Sequence, residues 1–169
     1  MSLPRTGVAE VVVPVLVRDL TPTDLPACAW SGTTVHLMQV ERELVRAAAG
    51  DVDYLALCTP AEVPVAIGGI DYQVTASVGT LWQLAVLPAL QSCGLGTMLI
   101  RAAEDRIRSR GLHRAELAVE ESNPRARALY ERLGYLAHGR RPDAWDVQAP
   151  DGSLLRYETM CTLMHKDLS

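Results

Sequence analysis

Gln91-Ser92-Cys93-Gly94-Leu95-Gly96-Thr97 places two glycines between an apolar run ending at Pro88 and a stretch of helical periodicity. Glycines there let the backbone turn tightly and let a ligand approach the main chain. The first turn of the following helix presents unpaired N–H groups and a partial positive charge, a combination that holds a pyrophosphate. Two rival phosphate loops do not fit. A dinucleotide fingerprint needs a third glycine where Leu99 stands, and a P-loop needs Gly-Lys-Ser/Thr after four spacers. On glycine spacing alone, a plain strand-to-helix turn explains the segment equally well.

Some thirty residues on, Asn123 and Tyr130 stand seven positions apart. Two helical turns put them on one face, about 10 Å apart along the axis. An amide and a phenol so spaced suit a cofactor lying along that helix. Asn123 ahead of Pro124 is also a good N-cap, and Tyr130 also fits an amphipathic core position.

Elements must position these groups. After a loose tail over residues 1–10, the β-branched run Val11 to Val17 reads as a first strand. A helical stretch from Thr21 through Trp30 precedes a better helix from Thr33 to Ala49, stopped at Gly50. Three strands follow: Tyr54 to Cys58, Pro64 to Tyr72 with Gly68-Gly69 inside it, and Thr80 to Leu87. The third is apolar enough for a central strand buried on both faces. The glycine loop then opens a helix from Leu95 to Arg110, with Gly111 beyond its end. Ala115 to Val119 is a strand, and Pro124 to Leu133 a helix capped by Asn123. Tyr135 to Arg140 and Arg156 to Met164 close the chain, with turn signals across Pro142 to Ser153. The order describes one α/β domain over residues 11–169 with a mixed sheet.

A length of 169 residues fits one domain able to bury a core unaided. The net charge of −4 speaks against a nucleic-acid binder. Cys28, Cys58, Cys93 and Cys161 form no CxxC pair, and His36, His113, His138 and His165 are scattered, so no metal site is expected. No signal-peptide core and no membrane-length apolar run are read, and the expectation is a soluble cytoplasmic protein off the membrane.

Gln91, Gly94 and Gly96, following Leu84-Ala85-Val86-Leu87-Pro88, resemble the Q/R-x-x-G-x-G/A signature of the GNAT superfamily of N-acetyltransferases. Asn123, Ala126, Leu129, Tyr130, Gly134 and Tyr135 resemble the same family's N-x-x-A-x-x-L-Y-x-x-x-G-F/Y pattern. The resemblance implies a mixed, mostly antiparallel sheet of about seven strands flanked by about four helices. It implies acetyl-CoA as co-substrate, with no metal, and acetyl transfer to a primary amine by direct attack in a ternary complex. Amides from Ser92, Cys93, Gly94, Leu95, Gly96 and Thr97 would hold the pyrophosphate, with Gln91 beside them. The backbone of Leu84, Ala85 and Val86 would pair with the pantetheine arm where the strand splays from its neighbour. The Val86 amide would face the thioester carbonyl. Asn123 would touch the cofactor, and Tyr130 would protonate the departing thiolate, a phenol and a thiol having pKa values of about 10 and 8.5. Arg125, Arg127 and Arg132 read as solvated, with Arg127 the one placed to reach a phosphate.

The pattern departs from the family at the base. Some members carry a glutamate on the strand before the loop, where Thr80, Trp82 and Gln83 stand. Glu120 is the candidate kept as catalytic. Glu121, Asp71, Asp146 and Glu158 are alternatives, and Gln83 could orient a relaying water. The acceptor, a small-molecule or peptide amine, would be shaped by residues 21–49 and 143–157, which carry Trp30, His36, Glu41, Glu43, Trp145 and Asp146. Tryptophan and carboxylate there could hold a cation or simply pack. Edge strands near the C-terminus are compatible with a homodimer. The competing reading is a non-catalytic acyl-CoA-binding domain on the same fold.

Overall fold

The computed structural model describes Gly7 and residues 10–169, so most of the expected tail, 1–10, lies outside the described residues. One seven-stranded sheet organises the chain: β1 (Leu16–Asp19), β2 (Val52–Cys58), β3 (Pro64–Asp71), β4 (Gly79–Val86), β5 (Arg114–Glu120), β6 (Leu136–Gln148) and β7 (Leu154–Asp167). Its order is β1-β2-β3-β4-β5-β7-β6, and every neighbouring pair is antiparallel except β4 with β5. Three α-helices, α1 (Thr34–Ala48), α2 (Leu95–Ser109) and α3 (Pro124–Arg132), flank it together with a 3-10 stretch, Pro22–Ser31. The expected mixed, mostly antiparallel architecture is therefore the observed one.

The helices divide between the faces. Leu99, Ile100, Ala103 and Ile107 of α2 pack on Leu81, Leu117 and Val119, and α3 adds Ala126, Leu129 and Leu133 to that core. On the opposite face Val40 and Leu44 of α1 join Cys28, Tyr54, Ala56 and Ile67. In β5, Ala115, Leu117 and Val119 are buried, whereas Glu116, Ala118 and Glu120 are half-buried on the second face, as a strand's period of two requires. Among the described residues, no helix covers β5 and β7 on that side as α1 covers β2 and β3.

Several expectations need correction. The first strand, expected from Val11 up to Arg18 and Asp19, begins only at Leu16, opposite Cys58, and runs to Asp19; residues 11–15 are unpaired. Pro14 lacks a donor, and beyond Cys58 the partner chain turns away through Thr59–Val63, so earlier residues have nothing to pair with. Residues 22–31 form 3-10 turns, with Pro26 inside the stretch removing an amide. β4 is only half-buried along most of its length. Residues 142–148, expected to be a loop, continue β6, and the turn is confined to 149–153 around Gly152 (φ 85°). Pro142 is tolerated because β6 is the outermost strand, where a missing donor breaks no ladder.

Candidate active site

The one parallel pair in the sheet is also its opening. β4 and β5 are in register only over Gly79–Ala115, Thr80–Glu116 and Leu81–Leu117. Beyond that point both strands run on, to Val86 and Glu120, without pairing to each other. One edge of the Leu84–Val86 backbone is thus left without a strand partner.

A bulge starts the divergence. Gly69 opposes Trp82 and Ile67 opposes Ala85, so the register slips around Gly68, and Gln83 takes φ 52°, unusual for a residue with a side chain. The glycine pair permits it: a side-chain carbon on Gly69 would collide with the Trp82 ring, and one on Gly68 with Leu84. From the second core the Tyr54 hydroxyl donates to Gln83 Oε1 at 3.0 Å. The role of relay suggested for Gln83 must share that oxygen with Tyr54.

At the wide end lies the glycine loop. Ser92 (φ 64°) and Gly94 (φ 87°) turn the backbone into α2, whose first amides, Leu95, Gly96 and Thr97, have no acceptor within the helix. Gly96 also lets α3 approach, since a Cβ there would press on Leu129 at 3.2 Å. Gln91 Nε2 donates to the Val86 carbonyl at 3.5 Å, tying the loop to β4. Cys93 is exposed. The arginines behave differently from expectation. Arg127 is held by Glu131 at 2.9 Å, whereas Arg125 reaches the loop, donating to Ser92 Oγ at 2.6 Å and Gln91 Oε1 at 3.3 Å. It sets a positive charge beside the free amides. No regular spacing relates Arg125 to residue 92, which is why the sequence did not single it out.

Between the diverging strands, on the open face, is a cavity of about 830 Å³. Leu84, Asn123 and Tyr130 line it with Glu120; Ala85 packs into the second core, and the glycine loop lies beyond the cavity. Asn123 does cap α3, its oxygen accepting from the Ala126 amide at 3.1 Å, which leaves the carboxamide nitrogen for a ligand. The Tyr130 ring stands edge-on to Tyr135, with centroids 6.1 Å apart. Burial pushes its phenol up to about 12, so it stays protonated through any working pH.

Among the candidate bases the structure is selective. Asp71 is paired with Arg46 at 2.8 Å, Asp146 with Arg156 at 3.2 Å, and Glu121 with Arg140. Glu158 does not line the cavity. Glu120 does, has no cationic partner among the described residues, and is fixed by the Tyr157 hydroxyl, which donates to it at 2.7 Å. Tyr157 packs on Trp145 at 5.0 Å between centroids, so the closing hairpin builds the cavity's outer wall. Of the expected acceptor residues, His36, Trp145 and Asp146 line the cavity. Trp30 is a packing residue, its indole donating to the Pro64 carbonyl at 3.2 Å, and Glu43 is held by Arg46. Glu116, Thr80 and Asp143 line it too. Glu116 was findable, since it lies four residues before Glu120 and shares its strand face.

A glycine-turned helix start, two diverging parallel strands and a phenol over their gap define an acyl-transfer fold. A model of the Acetyltransferase (GNAT) family matches residues 25–135, and the chain belongs to that family. It is similar to the [ribosomal protein bS18]-alanine N-acetyltransferase of Salmonella typhimurium, 36% identical over 126 residues, covering 69% of this chain and 77% of that one. It is also similar to the mycothiol acetyltransferase of Beutenbergia cavernae, 48% identical over 60 residues. That match covers 36% of this chain and only 20% of the relative's length. The crystal structure of the ribosomal-protein-S18-alanine N-acetyltransferase from Escherichia coli superimposes with a TM-score of 0.67 at 26% identity, covering 92% and 95% of the two chains. A Thermoplasma acidophilum N-acetyltransferase in complex with coenzyme A shares the fold, with a TM-score of 0.66 at 15% identity, covering 91% and 99%.

Proposed function

We propose that this protein transfers an acetyl group from acetyl-CoA to a primary amine by direct attack within a ternary complex. The divergence of β4 from β5 above a cavity holding Tyr130 and Glu120 carries the reading. The loop amides from Ser92 to Thr97, with Arg125, take the pyrophosphate, and the backbone of Leu84, Ala85 and Val86 pairs with the pantetheine arm. The Val86 amide polarises the thioester carbonyl, and the Asn123 nitrogen contacts the cofactor. Glu120 accepts the proton that the attacking amine loses. Tyr130 donates a hydrogen bond to the departing sulfur. Its upward shift makes full proton transfer costlier than ordinary reference values suggest, so stabilising charge as it develops is the step it performs at least cost.

The acceptor is a small-molecule or peptide amine; similarity to bS18-alanine N-acetyltransferases supports a peptide α-amine as the first to test. We place the activity in the cytoplasm, in keeping with four free cysteines. No described helix is long and apolar enough to cross a membrane. Residues 11–169 act as one domain, and the outer edge of β6 is the surface through which a homodimer would form. Release of free thiol from acetyl-CoA over a panel of amines and short peptides tests the reaction. Glu120→Gln is expected to lower kcat/KM roughly 10²-fold at neutral pH, with less loss at high pH, where the amine is already deprotonated. Stabilisation by CoA with no thiol release on any amine would instead establish the non-catalytic binding domain.

A further inference from the structure

Resting on the transferase reading, we propose that the acceptor carries a second cationic group, received at the narrow end of the cavity by Glu116 and Thr80. Of the five carboxylates lining the cavity, Asp71, Asp143 and Asp146 are each within ion-pair distance of an arginine. Glu116 and Glu120 have no such partner among the described residues. Glu120 is accounted for as the base. Glu116 is half-buried and receives only the Thr75 hydroxyl at 3.3 Å.

Thr80 supplies the independent observation. It is the cross-strand partner of Glu116 in the last stretch before the strands part, so both side chains project from the same sheet face. Its Oγ1 is buried and has no hydrogen-bond partner among the described residues. A buried hydroxyl without a partner costs free energy that a bound donor recovers. An ammonium offers three donors and no acceptor. Glu116, Thr80 and Thr75 offer a carboxylate and two hydroxyl oxygens, which match it. An anion would meet an uncompensated carboxylate instead.

The spacing fits a short linker. Ala118 lies midway between Glu116 and Glu120 on the same face, at the level where the free backbone of β4 begins. Two residues of strand span about 7 Å. An amine attacking near Ala118, with Glu120 on one side, thus leaves Glu116 a few carbon atoms away on the other. Diamines and peptides with a basic side chain near a free N-terminus share this chemistry.

The test compares kcat/KM for diaminobutane with butylamine, and for Ala-Lys with Ala-norleucine peptides, each pair matched in length. At least a tenfold preference for the dicationic member of one pair is expected, and which pair shows it identifies the source. Glu116→Gln is expected to bring that ratio close to one. Thr80→Val, which keeps shape and removes the acceptor, gives an independent reading should Glu116→Gln fold poorly. Turnover of both members at equal rates, or a preference that survives both substitutions, overturns the second-cation subsite alone. Absence of thiol release with every amine overturns the transferase reading and this inference together.

Discussion

Tyr130 illustrates how much a single residue's chemistry depends on where it is put. Burial holds its phenol neutral and raises it to about 12. The sign matters: the acid form is present below that value and lost only above it. No fall in kcat near pH 10 should therefore trace to Tyr130. Tyr130→Phe is expected to lower kcat by roughly 10²-fold with little change in KM for acetyl-CoA, leaving the shape of the pH profile unaltered below pH 10. Pre-steady-state and steady-state rates from pH 6 to 10 check this, and an unchanged kcat would remove Tyr130 from the mechanism. Its position was legible in the sequence, as was that of Asn123, because both lie on one helix with fixed periodicity. Arg125 was not singled out, since its partners come from another element, whereas Glu116 was passed over although it shares Glu120's strand face.

At the scale of elements, the gap between β4 and β5 depends on β3. Gly68 and Gly69 leave room for Leu84 and Trp82 to fold over them where the bulge at Gln83 begins. Gly69→Ala is expected to destabilise the protein by about 1–3 kcal/mol through overpacking against the Trp82 ring. It should weaken CoA binding as well, because the bulge aims the Leu84–Val86 edge. Denaturant unfolding with calorimetric titration of CoA reads both, and a loss of stability with undiminished affinity would separate bulge from binding. A second device ties α2 to β7. Glu104, 3% exposed, accepts from Lys166 Nζ through both oxygens at 2.9 Å. Lys166→Met leaves that buried carboxylate with Arg108 alone, 3.9 Å away, and is expected to cost about 3–5 kcal/mol. A loss below ~1 kcal/mol in urea unfolding would show that water or Arg108 takes the lysine's place.

Across the whole molecule, the cofactor would bridge two strands that part company where it lies. β4, α2, α3 and β5 share one core, yet β4 and β5 are unpaired with each other beyond Leu81 and Leu117. A ligand that binds only the folded state at a hundred times its Kd stabilises by about 2.7 kcal/mol. For a chain of this size each kcal/mol shifts Tm by about 2–4 °C. Saturating CoA is therefore expected to raise Tm by roughly 5–11 °C, measurable by scanning calorimetry. Adenosine alone, which lacks the pantetheine arm, should give a much smaller shift. Equal shifts for the two would move the binding determinant away from the strand gap.

Local pattern sufficed for the order of elements, the glycine loop, the capped helix of Asn123 and Tyr130, and membership of a family, because these are set by residues within a few positions of each other. Where the signals were local but ambiguous, the reading placed boundaries wrongly: Val11 to Val15 has strand composition but no partner, and Pro142 announces a turn that an outermost strand does not need. Only the tertiary structure decided which cavity carboxylates remain unpaired, which arginine reaches the loop, and that Glu116 meets Thr80 where two strands separate. Those outcomes are contacts between segments distant in the chain. Their energies depend on burial and on competing partners, neither of which is written into any one stretch of sequence.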